Sequence, residues 1–391
     1  MATEPLQIAQ SSQLPPAQPA YVLRGHSAQI HAVDFLRDNL HILSGDADGW
    51  VVLWSIPIRR PVAVWRAHNS TILGVGNWGD ERIITHGRDG EINVWQLKHE
   101  GERTFSTTLP IDDTVSDRKQ PWLLHSLTVN ALNFCSFTMC SGVSTQEASS
   151  ASEQQRPGSY LIATPGVQDG FVNVTSLPSE ERVATIPTPK DVKTGMVMAI
   201  GLHYQNDKLL VLAGYESGHA AVWRQNDSTK HWQTVYVNKL HTQPILSLDI
   251  APTLKCFFTS SADAVIGRHP LSEDTVKPKS AQTKHAGQQS LTVRSDGKIF
   301  ATAGWDGRAR VFSAKSMKEL AVLKWHKEGC YALAFSNVTG TTPSAPADDS
   351  VDAPSIKRDL TVSELRTAKA KATHWLAAGS KDGKVSLWDI Y

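Results

Sequence analysis

Asp48 and Trp54 lie six residues apart, and so do Asp89 and Trp95; from one frame to the next both anchors advance by 41 residues. A period of this size constrains the fold more than composition does. Each unit must be one supersecondary motif that buries its apolar face by stacking on its neighbours. The frame continues as Asp169-Gly170 with Thr175, Ser217-Gly218 with Trp223, Asp263-Ala264 with His269, Asp306-Gly307 with Phe312, and Asp382-Gly383 with Trp388. The steps between turn anchors are 41, 80, 48, 46, 43 and 76. A second marker counts the units. His26, His68, His125, Lys193, His241, His285 and His326 each open one, and apolar residues follow most of them at fixed offsets, as Ile30, Val33 and Phe35 follow His26. Each long step holds a single such start, so it contains an insertion and the count of units is seven.

Composition locates the insertions. Residues 136–158 are rich in Ser and Gln, and residues 336–359 in Ser, Thr, Pro and Asp; both read as surface loops. Residues 272–284 read as a polar connector between units five and six, residues 360–371 as a short helix, and the Pro- and Gln-rich residues 1–19 as a disordered tail. Inside a unit, VVLW and INVW alternate apolar and polar residues, as half-buried strands do, and Asp-Gly before them marks a tight hairpin turn. Each unit therefore reads as four short strands. The last unit runs out at LWDIY (387–391), after its third strand. Tyr21-Val22-Leu23 stands before the first Gly-His, where the other units carry a fourth strand. A strand at about residues 20–23 is expected to complete the last unit, which removes an exposed strand edge.

The markers R-G-H (24–26), S-G-D-A-D-G-x-V-x-L-W (44–54) and S-K-D-G-K-V-S-L-W-D (380–389) resemble the WD40 repeat. The fold class expected is all-β: a single seven-bladed WD40 β-propeller over residues 20–391, closed by its N-terminal strand.

His, Ser/Thr and Asp recur together, which invites comparison with a catalytic triad. A catalytic set need occur only once, whereas this one recurs around the chain, so the resemblance points to a structural network that satisfies buried polar groups. Its expected members are His26, Ser44, Asp48 and Trp54; His68, Thr85, Asp89 and Trp95; Asp169; His241 and Asp263; Thr302 and Asp306; and His326, Asp382 and Trp388. No catalytic, cofactor-binding or metal-binding residue is expected. Gly74–Gly79 matches G-x-G-x-x-G, but RIITHG follows it where a dinucleotide site needs a helix. Cys135 and Cys140 lack the spaced partners of a zinc site. Four cysteines in 391 residues make no disulfide framework and fit a reducing compartment.

Lys and Arg total 39 against 38 Asp and Glu, a net charge of +1, and the Arg59-Arg60 pair is too short to read as a phosphate site. Direct nucleic-acid binding is therefore not expected. No apolar run reaches the ~20 residues a bilayer needs, and the first 20 residues lack the charged and apolar regions of a secretory signal. What remains is surface. The loops before the first strand and between the second and third gather on one propeller face. The candidate partner-binding residues there are Asp46, Arg88, Tyr215, Glu216, Trp305, Lys327 and Lys381. Trp305 leads them, because aromatic and Arg side chains dominate interaction hot spots.

Beyond these markers the chain resembles the fungal ASTRA-associated protein 1 family, related to the G-protein β-subunit-like proteins. The segments that carry the resemblance include RPVAVWRAHNSTILGVGNWGDERIITHGRDG (60–90), LNFCSFTMC (132–140), RSDGKIFATAGWDGRARVFS (294–313) and KELAVLKWHKEGCYALAF (318–335). The resemblance implies a non-catalytic, monomeric scaffold subunit of a nuclear assembly, with a cytoplasmic pool as a second location. It implies as partners a kinase-like transcription cofactor, the Tel2–Tti co-chaperone proteins and the RuvB-like ATPases. Its implied roles are chromatin remodelling and the assembly of phosphatidylinositol-3-kinase-related kinases. Two alternatives stand beside it. A substrate receptor of a cullin-type ubiquitin ligase would show W-D-x-R after a third strand, yet Trp54 is followed by Ser-Ile-Pro and Trp95 by Gln-Leu-Lys. A G-protein β-like adaptor would carry N-terminal apolar heptads, and this chain shows a Pro-containing tail.

Overall fold

The computed structural model describes residues 17–112, 118–142, 159–205, 208–226, 231–253, 255–271, 277–337 and 360–390. Their strands form seven antiparallel sheets of four, the blades of a β-propeller. Blade one sets the pattern, from the axis outward: Ile30–Leu36, His41–Asp46, Trp50–Ser55 and Arg60–Arg66. Its two middle strands are buried over nearly their full length, because a sheet lies against each face. The turn between them needs Gly49 at φ +85°, and a Cβ there would stand 1.9 Å from the His68 carbonyl oxygen.

Adjacent blades lock through missing side chains. A Cβ on Gly45 would lie 2.6 Å from Ile72 of blade two, and one on Gly214 would lie 2.5 Å from Ile245 of the next blade. The same device joins blade seven to blade one, where a Cβ on Gly379 would lie 2.6 Å from Ile30. The three isoleucines are fully buried. An isoleucine knob from a first strand in a glycine hole of the neighbouring blade's second strand lets the sheets approach closely.

The ring closes as the sequence leads one to expect, one residue later. Tyr21–Arg24 pairs antiparallel with Lys384–Leu387, in register Tyr21 with Leu387 through Arg24 with Lys384. Leu23 sinks into a core cluster with Ile30, Val385 and Leu387, so the first and last segments of the sequence share one hydrophobic core.

The expected insertions need correction in three places. The first strand of blade three is Thr138–Ser141, inside the range 136–158 assigned to a loop; residues 143–158 lie outside the described residues. The offsets after His125 pointed instead to Leu132 and Phe134, which are 84% and 51% exposed. His125 itself lies in the fourth strand of blade two, Trp122–Thr128. Phe137 supplies the buried side chain at the start of blade three. The connector 272–284 holds the fourth strand of blade five, Lys279–Gln282, whose polar sequence suits an outermost position; residues 272–276 lie outside the described residues. The tail 1–19 and the loop 336–359 also fall mostly outside them, at 1–16 and 338–359.

The third correction is a strap. Residues 97–121 are a further insertion between the third and fourth strands of blade two, and its described part is residues 97–112 and 118–121. The strap crosses the outer side of blade one: Val64 donates its N–H to the Ser106 carbonyl at 2.9 Å, and Ile111 donates to the Gly25 carbonyl at 2.9 Å. Arg37 ties its root, donating to the Asp80 and Leu97 carbonyls at 2.8 Å each and pairing with Glu102. The strap thus connects blade two with the closing strand. Helix α1, Val362–Ala372, stands where residues 360–371 were expected to be helical. Its capping box joins Thr361 and Glu364, and the Trp375 indole N–H donates to its Ala370 carbonyl at 3.0 Å.

Gly379→Ala should therefore displace Ile30 and Val33 and destabilise the fold by about 1–3 kcal/mol. Urea denaturation followed by tryptophan fluorescence measures this; a loss below about 0.5 kcal/mol, the usual surface value, would contradict the lock.

Candidate interaction face

Side chains that a triad would require are present several times, and their hydrogen bonds show what occupies them. In blade one the Trp54 indole N–H donates to Ser44 Oγ at 2.8 Å, Ser44 Oγ lies 2.7 Å from His26 Nε2, and His26 Nδ1 lies 2.7 Å from Asp46 Oδ2. One arrangement that satisfies every group has the indole donating to Ser44, Ser44 donating to Nε2, and Nδ1–H donating to the carboxylate. Asp46 also accepts from the backbone N–H groups of Asp48 and Trp50, which holds the hairpin turn. This corrects two assignments. Asp46, placed on the exposed face, is fully buried and is the network acid, and Asp48 enters only through its backbone. The turn D-A-D-G offers two carboxylates, and the one at the end of the second strand reaches the imidazole.

Blade two has the expected set. Trp95 donates to Thr85 at 2.9 Å, Thr85 Oγ1 lies 2.8 Å from His68 Nε2, and His68 Nδ1 lies 3.0 Å from Asp89. Blade seven draws its hydroxyl from the opposite strand. Trp388 donates to Ser386 at 2.8 Å, and Ser386 lies 2.8 Å from His326 Nε2, whose Nδ1 is 3.3 Å from Asp382. Ser386 pairs across the ladder with Ala378, the residue that holds the usual hydroxyl position.

Blade five looked degenerate in sequence and is complete. His241 Nδ1 lies 3.1 Å from Asp263, and its Nε2 lies 2.8 Å from Thr259 Oγ1. His269 stands where tryptophan would, its Nε2 2.9 Å from Thr259 Oγ1, and the Tyr236 hydroxyl lies 2.9 Å from His269 Nδ1. With Thr259 donating to His241, His269 must carry its proton on Nε2 and accept from Tyr236 on Nδ1. A neutral imidazole thereby imitates an indole N–H, and Tyr236 fixes the tautomer. Burial pushes the pKa of His269 down to about 3.

The remaining blades differ. In blade six the buried Arg310 binds Asp306 through both terminal nitrogens, at 3.1 and 2.5 Å, and Thr302 donates to Gln288 at 2.8 Å, while His285 stays 3.7 Å from Asp306. Blade three makes no such set: Asp169 is exposed and has no hydrogen-bond partner among the described residues. In blade four the buried Trp223 indole nitrogen has none, because Ala213 occupies the hydroxyl position.

Other motifs are also absorbed by the fold. Gly74 and Gly76 lie in a strand, Ile72–Asn77, and Cβ atoms there would meet Ser136 at 1.9 Å and Phe137 at 3.2 Å, so these glycines admit the neighbouring segment. Cys135 is buried and Cys140 half-buried; both are free, and burial raises both thiols, Cys140 to about 12. Among the described residues one group, His68, Asp89 and Glu91, has three metal-capable atoms within 4.8 Å, but both His68 nitrogens already face Thr85 and Asp89.

The exposed face retains Arg88, Glu216, Trp305, Lys327 and Lys381. Tyr215 leaves it: the ring is fully buried and its hydroxyl donates to the Gly170 carbonyl at 3.3 Å, bridging blades four and three. Trp305 is 48% exposed, packs on Gly287 and donates its indole N–H to Gln289 at 2.8 Å. The Arg88 guanidinium sits 4.3 Å from the centroid of the Phe134 ring. The mistaken register after His125 read Phe134 and Leu132 as core positions, whereas both are exposed and Phe134 lies under Arg88.

Fold and site define a seven-bladed WD-type β-propeller with four complete indole- or imidazole-capped networks and a mixed aromatic and cationic loop face. A family profile described as ASTRA-associated protein 1 matches residues 19–388. A relative of that name in Verticillium alfalfae is 46% identical over 382 residues, covering 95% of this chain and 93% of its own. One in Aspergillus flavus is 43% identical, covering 96% and 98%, and one in Schizosaccharomyces pombe is 31% identical, covering 95% and 99%. The chain belongs to the ASTRA-associated protein 1 family.

Burial holds His269 at about 3, and His41 and His86 at about 4, against a normal value of 6.5. The unfolded chain binds these protons first, so their contribution is present above pH 6.5 and is lost as pH falls toward 4. Desolvation at the inner strands raises Asp34 to about 7 and Asp249 to about 6, with the opposite sign: that contribution is present at low pH and lost as pH rises through these values. A single-residue comparison separates the two. Between pH 7 and 5, the stability of His269→Phe should fall less steeply than that of the unmodified protein. Parallel urea midpoints across that range would contradict the neutral buried imidazole.

Proposed function

We propose that this chain is a non-catalytic scaffold subunit of the ASTRA assembly, acting in chromatin remodelling and in the assembly of phosphatidylinositol-3-kinase-related kinases. The observation that carries the proposal is the family match over residues 19–388, with relatives named for association with ASTRA. The partners proposed are a kinase-like transcription cofactor, the Tel2–Tti co-chaperone proteins and the RuvB-like ATPases, and the location is the nucleus. The side-chain chemistry supports a binding role. The repeated His, hydroxyl and Asp groups are occupied in holding loops. The loop face offers what protein interfaces use: an exposed indole at Trp305, and Arg88 stacked on Phe134.

Tagged full-length protein should recover these partners from native extract at physiological salt in near-equal amounts. Trp305→Ala with Arg88→Ala should lower that recovery about tenfold, roughly 1.4 kcal/mol, without lowering the urea midpoint. Recovery of ligase components, G-protein subunits or no partner would contradict the proposal.

A further inference from the structure

Among the described residues the outer edge of the last blade is unpaired, and the groove around it is basic. The closing strand Tyr21–Arg24 is hydrogen-bonded to Lys384–Leu387 on one side, and no described strand pairs with its other side. A groove of about 560 Å³ surrounds this edge, floored by Leu23 and Trp54 and walled by Trp325. Its charged side chains are Arg24, Arg59 and Arg60, and no carboxylate lines it. All three arginines are exposed, and none has an ion-pair partner among the described residues. Arg59 lies over the Tyr21 ring, 4.8 Å from its centroid, and is thereby held beside the strand. A smaller adjoining pocket shares Tyr21 and Arg59 and adds Arg366 and Lys369 of helix α1, with Asp389 as its one acidic group.

A protein of net charge +1 does not concentrate unpaired arginines here through general basicity. Natural sheets place cations on edges to discourage pairing, which explains one such residue. Three arginines converging on a groove with an aromatic floor also match the donors that bind carboxylates in pairs. The strand edge selects the form of the ligand, because an extended chain can add main-chain pairs to it while alternate side chains reach the arginines. The strap limits the groove at one end, where Leu109 lies against Gly25 and Ile111 bonds its carbonyl.

We propose that an extended acidic segment of a partner protein docks in this groove as a fifth strand of blade seven, its carboxylates held by Arg24, Arg59 and Arg60. This rests on the scaffold reading and names the chemistry of one contact in it.

The test uses the full chain and a fluorescent ten-residue peptide of alternating Glu and Val, with alternating Lys and Val as control. Anisotropy should show saturable binding of the Glu peptide, weakening with salt, and none of the Lys peptide. Arg24→Glu/Arg59→Glu/Arg60→Glu should weaken binding at least tenfold with an unchanged urea midpoint, and the corresponding lysine variant should retain most of it. Hydrogen exchange should show new protection of the Tyr21–Arg24 amides on binding. Undiminished binding to the glutamate variant would overturn the proposal. So would protection confined to other segments, or a preference for poly-uridylate or for phosphatidylserine vesicles over the peptide. Partner recovery from extract by the same variants keeps the two readings apart. If the unmodified protein recovers no ASTRA partner, the scaffold reading fails; if it does and the glutamate variant recovers all of them equally, only the groove's role fails.

Discussion

The ring depends on one short pairing. Four residues, Tyr21–Arg24, join the start of the propeller to its last blade through Lys384–Leu387. Every other blade is built from strands adjacent in sequence, so its pairs form at modest loop-closure cost. This pair links residues 360 or more positions apart and must be compensated by burial. Leu23 in the shared core, the Ile30 knob in the Gly379 hole and the strap anchored at Gly25 all act at this seam. Reinforcement is concentrated where a propeller would otherwise open.

The buried networks serve the next level of order. Each joins three segments of a blade: the loop before the first strand, the turn after the second, and the third strand. Their chemistry is interchangeable while their geometry is kept. A hydroxyl comes from the second strand in blade two and from the third in blade seven. An imidazole substitutes for an indole in blade five, and a guanidinium substitutes for the imidazole in blade six. Blades three and four, which lack the set, are bridged by Tyr215. The loop face owes its shape to these buried contacts, which leaves Trp305 and Arg88 free to meet another surface.

Much of this was legible in the sequence, for physical reasons. The period, the Asp-Gly turns and the alternating third strands are local signals, and they gave the blade count and the closing strand to within one residue. Signals that depend on contacts across the fold were not legible. Asp46 and Asp48 are both reasonable acids in a D-A-D-G turn, and only the position of His26 chooses between them. His125 has the right residue type and offsets to open a unit, yet it pairs as part of a fourth strand. The strap was concealed because the 80-residue step had already been explained by one insertion. Tyr215 looked like a turn aromatic and became a buried bridge, since nothing local shows which way a ring points. Arg24 lies in a different blade from the adjacent Arg59-Arg60 pair, and closure of the ring brings them to one groove.

Native-state hydrogen exchange by mass spectrometry, on the full chain without partners, tests the account of the seam most directly. If closure underlies the rest, peptides covering Tyr21–Arg24 and Lys384–Leu387 exchange together with the middle strands of blade one, in a single cooperative unit near the global stability. Opening of the 21–24 segment at much lower free energy, with the middle strands of blades one and seven still protected, would contradict it.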